Sequence, residues 1–295
     1  MAAQYAPIPM GCLLRASTAQ RMGSPVRVTE KRGMGMGSNR GNPAIFDLSG
    51  RIAIVTGGSR GIGRAIACGY AQAGARVVVA SRNLDACQEV VDGIQSEGGE
   101  GLAVQARVGD LDDQVALVET TVAHFGGLDV LVNNAAILRP HVIEKLTPEE
   151  FDELFAVNVR GPVFLSRMAL PHLEASKRGV IIHVTAAGGH NPMAGIGAYG
   201  ATKAAMLNWT RVMAQEWSPR GVRVHALTPG PVATDMILPR DANRREEFVR
   251  DLSGETLLGR VADPEELVGP AIFLASDASS FMTGQALIVD GGLMA

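Results

Sequence analysis

Ile52-Ala53-Ile54-Val55-Thr56-Gly57-Gly58-Ser59-Arg60-Gly61-Ile62-Gly63 is the stretch that decides the fold. Its first part is short, apolar and β-branched, the make-up of a buried strand. Glycines follow at once. Beyond them Ile62, Ala65, Ile66, Gly69, Tyr70 and Ala73 recur at the spacing of one buried helix face. Strand, glycine turn and helix together make a phosphate site. Glycine lets the backbone turn sharply and approach a ligand, and the helix N-terminus offers unpaired N–H groups with partial positive charge.

Working outward, the runs Arg76–Ser81, Leu102–Gln105, Leu128–Val132, Val180–Val184, Val222–Leu227 and Ala286–Val289 predict six further strands. Helical spacing fills the gaps at Leu84–Ile94, Val115–Phe125, Phe151–Val157, Val163–Leu173, Tyr199–Trp217 and Pro264–Ala275. Strict alternation of strand and helix predicts an α/β protein: a doubly wound, mostly parallel seven-stranded sheet (Rossmann fold) with helices on both faces. Ligands on such sheets bind beyond the carboxyl ends of the strands. The unusual residues gather there: Thr56–Gly63, Ser81-Arg82, Asp110-Leu111, Asn133-Asn134, Thr185-Ala186 and Pro229-Gly230. The polar, uneven segment 236–258 is expected to cover the substrate.

Composition narrows the function classes. The chain has 295 residues, 46% apolar and 19% charged. One globular domain over residues 45–295 is the simplest reading. A net charge of −3 gives no electrostatic reason for a nucleic-acid partner. No apolar run reaches bilayer-spanning length, so no membrane partner is expected. Cys12, Cys68 and Cys87 lack metal-ligand spacing, and an odd count suggests reduced thiols in a cytoplasmic setting. No His, Asp or Glu cluster has metal spacing either, and no metal is expected. Residues 1–44 are rich in Gly, Met and Pro, carry Arg15, Arg21 and Arg27, and hold no acid before Glu30. They read as a disordered or processed extension. Organellar import is one reading of it, and a non-functional extension upstream of Met22, Met34 or Met36 is the other.

The end of the second strand bears on nucleotide choice. An acid there would accept a hydrogen bond from an adenosine ribose 2′-hydroxyl. This chain has Ser81-Arg82, with Arg60 in the glycine turn able to reach the same region. Two guanidinium groups without an acid suit a 2′-phosphate, which predicts NADP(H) over NAD(H); the alternative is that both are solvated surface groups. A second pair, Tyr199 and Lys203, lies four apart on one helix face. A free phenol has a pKa near ~10, too high for a base at neutral pH. At about 5 Å and an effective dielectric near 20, a lysine charge contributes on the order of 3 kcal/mol, or ~2 pKa units. A phenol tuned in that way can pass a proton to or from a substrate oxygen.

Taken in order, Thr56-Gly-Gly-Ser-Arg-Gly-Ile-Gly63, Asp110-Leu111, Asn133-Asn-Ala-Ala136, Asn158, Tyr199-Gly-Ala-Thr-Lys203, Pro229-Gly230 with Thr234, and Asp290-Gly-Gly292 resemble the short-chain dehydrogenase/reductase family, from about Leu48 to Gly292. The resemblance implies an NADP(H)-dependent oxidoreductase moving hydride between nicotinamide and a carbonyl or secondary alcohol. It implies Tyr199 as acid/base, Lys203 on the nicotinamide ribose and lowering the phenol, and Asn158 holding a relay water behind the lysine. The cofactor would meet Gly57, Ser59, Arg60, Gly61, Ile62, Gly63, Ser81, Arg82, Tyr199, Lys203, Pro229 and Gly230. Asp110 and Leu111 would lie against the adenine and Asn133 on the adenosine side, while Val232 and Thr234 meet the carboxamide. A homodimer or homotetramer is implied, built on the Tyr199 helix and the last strand.

One departure bears on chemistry. Thirteen positions before Tyr199, where the family usually places a substrate-binding serine, stands Ala186. Losing one such donor costs about 2.7–4 kcal/mol of transition-state stabilisation. Thr185 could supply the bond if the strand has already ended there, or His190 or another group of the loop from Gly188 to Gly197 could; otherwise the enzyme is slow or takes a substrate with its own hydrogen-bonding group. The reading from another class is a catalytically weak or inactive nucleotide-binding sensor or assembly subunit. Among other residues, Asp129 is expected as a turn acid, Trp209 and Trp217 as packing residues, and His183 as a satisfied core group.

Overall fold

The β-branched and apolar runs become seven strands in a computed structural model that describes residues 43–295. They are β1 (Ile52–Thr56), β2 (Arg76–Ser81), β3 (Glu100–Gln105), β4 (Val130–Asn133), β5 (Val180–Val184), β6 (Arg223–Pro229) and β7 (Ala286–Val289). All neighbouring strands pair in parallel, in the order β3-β2-β1-β4-β5-β6-β7. The connecting helices are α1 (Gly61–Gln72), α2 (Leu84–Ser96), α3 (Leu111–Phe125), α4 (Pro148–Phe155), α5 (Gly161–Ser176), α6 (Gly197–Trp217), α7 (Ala242–Glu255) and α8 (Val268–Ala275). The chain order reverses between β1 and β4, where a doubly wound sheet opens its ligand crevice.

Period-two alternation along the strands divides the core into two layers. Val55, Val79, Val132 and Ile182 pack towards α1, α2 and α8, joining Ile66, Tyr70, Val91 and Leu274. Their neighbours Ile54, Val78, Leu131 and Ile181 point the other way, against Leu117 of α3, Leu165 and Leu173 of α5, and Met213 of α6. Burying each such side chain stabilises the fold by roughly 1.5–3 kcal/mol. Gly69 lets α8 lie against α1: a Cβ there would stand 2.2 Å from Val268 Cγ1.

Caps explain where helices start. Asn83 Oδ1 accepts from Ala86 N at α2, and Asp110 Oδ1 accepts from Asp112 N and Asp113 N at α3. Thr147 and Glu150 form a reciprocal capping box at α4, with Pro148 at its first position.

Several expectations shift. The sixth strand begins one residue later and runs on to Pro229. Between α4 and α5 the chain does not leave the helix but forms a π-helical turn, Ala156–Arg160. The helix expected over Pro264–Ala275 starts as a 3-10 turn, Pro264–Leu267, before α8. Segment 236–258 contains α7, which has no fully buried residue. Trp217 packs, but Trp209 is exposed on α6. Asp129 is buried, accepting from Ile52 N at 2.8 Å and pairing with Arg178 at 2.9 Å. Cys68 and Cys87 are free thiols. Cys12 and all but the last two residues of the expected extension 1–44 lie outside the described residues. Among the described residues no helix is long and apolar enough to cross a membrane, and no cluster of three His, Cys, Asp or Glu is placed to hold a metal.

Candidate active site

The glycine turn after β1 is held by the end of β4. Gly57 and Gly61 have φ of +64° and +53°, in the left-handed region. Thr56 Oγ1 accepts from Asn134 N and Ala135 N, both at 3.1 Å. Asn134 Nδ2 donates back to Thr56 O and Gly57 O. A Cβ on Gly63 would stand 2.3 Å from Gly57 O, and one on Gly57 would stand 2.9 Å from Ala135 Cα. The turn is therefore a cradle that side chains would fill, with Ser59 and Ile62 half-buried along it and Arg60 exposed at the N-cap of α1. Thr234, beyond β6, comes to the same place: its Cγ2 lies 3.2 Å from where a Gly61 Cβ would be. Asn134 and Thr56 are the residues that sequence reasoning passed over as clamps; a pair of polar side chains at two adjacent strand ends was the available signal.

The other expected cofactor residues divide by which of their atoms remain free. Arg82 is exposed, and among the described residues neither its guanidinium nor that of Arg60 enters an ion pair. Ser81 turns its hydroxyl into the start of α2, donating to Asn83 O at 3.1 Å. Asp110 uses one carboxylate oxygen as the α3 cap, and Leu111 beside it is exposed. Asn133 is buried with its side chain turned inward, donating to Ser166 Oγ at 3.0 Å and meeting His183 Nδ1 at 3.2 Å. Val232 likewise buries its side chain, at 3% exposure. For both of these, only the backbone is left to meet a cofactor. Gly230, after Pro229, has Asp290 against it, where a Cβ would stand 2.6 Å from Asp290 Cα.

Tyr199 and Lys203 share a face of α6. Lys203 is buried, its Nζ donating to Val184 O at 2.8 Å and sitting 5.4 Å from the Tyr199 ring centroid. The expectation that the ammonium lowers the phenol needs correcting. Burial pushes Tyr199 up to about 12 and Lys203 down to about 8. Desolvation disfavours the charged form of each, and the lysine's proton is directed at a carbonyl rather than at the phenol oxygen. Tyr199 is thus held as an acid at neutral pH.

Asn158 sits in the π-helical turn. Its Oδ1 accepts from Ile137 N, and its Nδ2 donates to Ile137 O and Thr202 Oγ1. Thr202 Oγ1 in turn donates to Tyr199 O at 2.6 Å. The Asn158 side chain therefore braces α6 against the loop after β4, with its polar atoms engaged by protein. Behind Lys203 lies His183, buried, its Nε2 without a partner. Burial, and then the Lys203 charge, push it down to about 3. The expected satisfied core histidine is satisfied at one nitrogen only.

Ala186 follows β5 in extended backbone, φ −166° and ψ 159°. Its methyl offers no hydrogen bond. Thr185 does not replace it. That side chain is buried on the α6 side of the sheet, its Oγ1 2.7 Å from Thr228 Oγ1 and 3.2 Å from Leu227 O. Gly188 and Gly189 let the following loop lie directly on α6: a Cβ on Gly189 would stand 2.8 Å from the Lys203 carbonyl carbon. Beside it opens a cavity of about 480 Å3 lined by His190, His141, Ile143, Met193, Gly200 and Ala201, among others.

Comparisons with known proteins agree with this geometry. A family model described as enoyl-(acyl carrier protein) reductase matches residues 57–294. The gluconate 5-dehydrogenase of Gluconobacter oxydans is 38% identical over 255 residues, covering 85% of this chain and 98% of that protein. Among solved structures, a 3-oxoacyl (acyl-carrier-protein) reductase from Agrobacterium tumefaciens with NADP bound superposes with a TM-score of 0.82 at 34% identity, covering 86% of this chain and 98% of that one. A gluconate 5-dehydrogenase from Burkholderia cenocepacia in complex with NADP and tartrate gives 0.79 at 34% identity, covering 85% and 97%. With the parallel sheet, the glycine cradle after β1 and the Tyr199–Lys203 face beside the end of β5, and on these matches, the chain belongs to the short-chain dehydrogenase/reductase family.

Proposed function

We propose that residues 45–295 form an NADP(H)-dependent oxidoreductase that interconverts a carbonyl and a secondary alcohol. The observation carrying the cofactor choice is the pair of guanidinium groups, Arg60 and Arg82, free of ion pairs among the described residues, where no acid stands to meet a ribose hydroxyl. The NADP-bound relatives support it. The glycine cradle and the N-terminus of α1 fit a pyrophosphate, and Leu111 offers an apolar surface for a base.

When bound, the nicotinamide supplies or accepts the hydride. The chain handles the rest. Tyr199, held protonated by burial, donates its proton to the carbonyl oxygen as that oxygen becomes a hydroxyl; in the other direction it takes the proton back. Lys203 presents an ammonium beside it, anchored on Val184 O. Asn158 keeps α6 in register through Thr202. Segment 236–258 covers the substrate.

Titrating NADPH and NADH tests the cofactor choice. NADPH should bind more tightly, and Arg60→Ala with Arg82→Ala should weaken NADPH by about 10–100-fold while leaving NADH little changed. Tighter NADH binding by the unaltered protein would overturn the choice. Ala186 favours a second reading, a nucleotide-binding protein with weak or no catalysis. Cofactor binding without turnover across a panel of ketones and alcohols would establish it. We also assign the protein to the cytoplasm and to a homodimer or homotetramer. The exposed Trp209 on α6 and Ile288 on β7 support the assembly, which sedimentation would test.

A further inference from the structure

Asp290-Gly291-Gly292 follows β7 directly and has no part in the chemistry above. It touches both ends of the stretch 230–262, which carries α7. At the near end, Gly230 N donates to Val289 O at 3.0 Å, and a Cβ on Gly230 would stand 2.6 Å from Asp290 Cα. At the far end, Leu258 N donates to Gly291 O at 3.1 Å, and a Cβ on Gly292 would stand 2.8 Å from Leu257 Cβ. Gly291 and Gly292 have φ of +64° and +84°, and glycine loses more conformational freedom on being fixed than any other residue. The Asp290 carboxylate offsets that loss. Its Oδ1 accepts from Gly292 N at 2.8 Å and its Oδ2 from Met294 N at 2.9 Å, both charge-assisted bonds.

The far end leads back to the glycine cradle. Thr256 is buried, and its Oγ1 accepts from Arg260 N at 3.1 Å, which closes a short turn after α7. Two residues beyond Arg260, Ala262 N donates to Pro231 O at 3.0 Å, and Ala233 N donates to Ala262 O at 2.8 Å. The next residue, Thr234, is the one whose Cγ2 lies 3.2 Å from where a Gly61 Cβ would be. Between these two ends α7 has no fully buried residue, so its placement depends on how its ends are held. We propose that Asp290 is a positioning residue of the cofactor site: its carboxylate fixes the turn after β7 as a clasp, which holds the exit of α7 and, through that exit and through Gly230, sets Thr234 against the glycine cradle. The inference rests on the oxidoreductase reading above, in which the cradle takes the NADPH pyrophosphate and segment 236–258 covers the substrate.

The test measures NADPH affinity by fluorescence titration and amide hydrogen exchange by mass spectrometry, both on the full chain. Asp290→Ala should weaken NADPH about 10-fold and speed exchange over 242–258, with β1 and β5 unchanged. Asp290→Asn, which keeps one acceptor and serves if the alanine variant does not fold, should fall between that variant and the unaltered protein. Gly292→Ala keeps the carboxylate but sets a methyl 2.8 Å from Leu257 Cβ at a φ of +84°, so it should speed the same exchange. Unchanged NADPH affinity in both Asp290 variants would overturn the clasp while leaving the enzyme reading standing. So would exchange that quickens evenly across the domain, or exchange over 242–258 that none of the three variants alters. No NADPH binding by the unaltered protein would remove the cofactor reading, and this inference with it.

Discussion

Burial keeps the Tyr199 phenol protonated and weakens the Lys203 ammonium, and the proposed proton transfer rests on that pair. Two outcomes follow at the level of single residues. Tyr199→Phe should lower turnover by about 100- to 10,000-fold with cofactor binding kept, which steady-state rates and a binding titration would show together. Carbonyl reduction should also fall as pH rises past about 8, where Lys203 gives up its charge, although Tyr199 stays protonated to about 12. A rate that holds flat from pH 7 to 10 would contradict that assignment. The glycine cradle makes a third case. Gly63→Ala places a methyl 2.3 Å from Gly57 O, and backbone cannot swing aside as a side chain can. NADPH binding should be lost outright, as fluorescence titration would record.

At the level of elements, the π-helical turn between α4 and α5 directs Asn158 at both the loop after β4 and α6. Asn158→Ala leaves Ile137 N–H and C=O without their partners, so stability should drop by about 2–4 kcal/mol. A urea unfolding midpoint that did not move would mean that the brace contributes nothing. This element was only half legible. Helical periodicity shows on both sides of Ala156–Arg160, yet one extra residue in the ladder leaves no mark in a hydrophobic pattern. Asn133 shows the same limit on a strand. Its position at a strand end was readable; that its side chain joins Ser166 of α5 and His183 of β5 follows from which helix and which strand pack against β4.

Across the sheet, two histidines are buried among the described residues, His183 and His225, both held neutral by burial and pushed down to about 3. Their imidazoles sit near ~6.5 in an unfolded chain, so between pH 6.5 and 3 the unfolded state binds protons that the folded state refuses. Stability is therefore intact above about pH 6.5 and lost as pH falls through that window. The unfolding midpoint should decline from pH 7 to pH 4, and less steeply in His183→Asn and His225→Asn. Equal slopes in all three proteins would show that other groups set the acid limit. His225 is tied on one side to Arg223, whose guanidinium also gathers Leu274 O, Ser276 O and Ser279 O. The acid limit therefore also tests the packing of the α8 end.

Periodicity, glycine placement and motif order determined the layers, the parallel sheet and the crevice, because alternation and turn chemistry are local properties of the chain. They also placed Tyr199 and Lys203 on one helix face, since residues four apart share it in any helix. Only the tertiary structure decided which polar atoms are left free: Arg60 and Arg82 without ion-pair partners among the described residues, Ser81 and Asn133 turned inward, Thr185 locked to Thr228, Asn158 wholly engaged. It also raised the phenol that the sequence alone would have lowered. Desolvation and hydrogen-bond partners come from elements far apart in the chain, and their balance exists only once those elements meet.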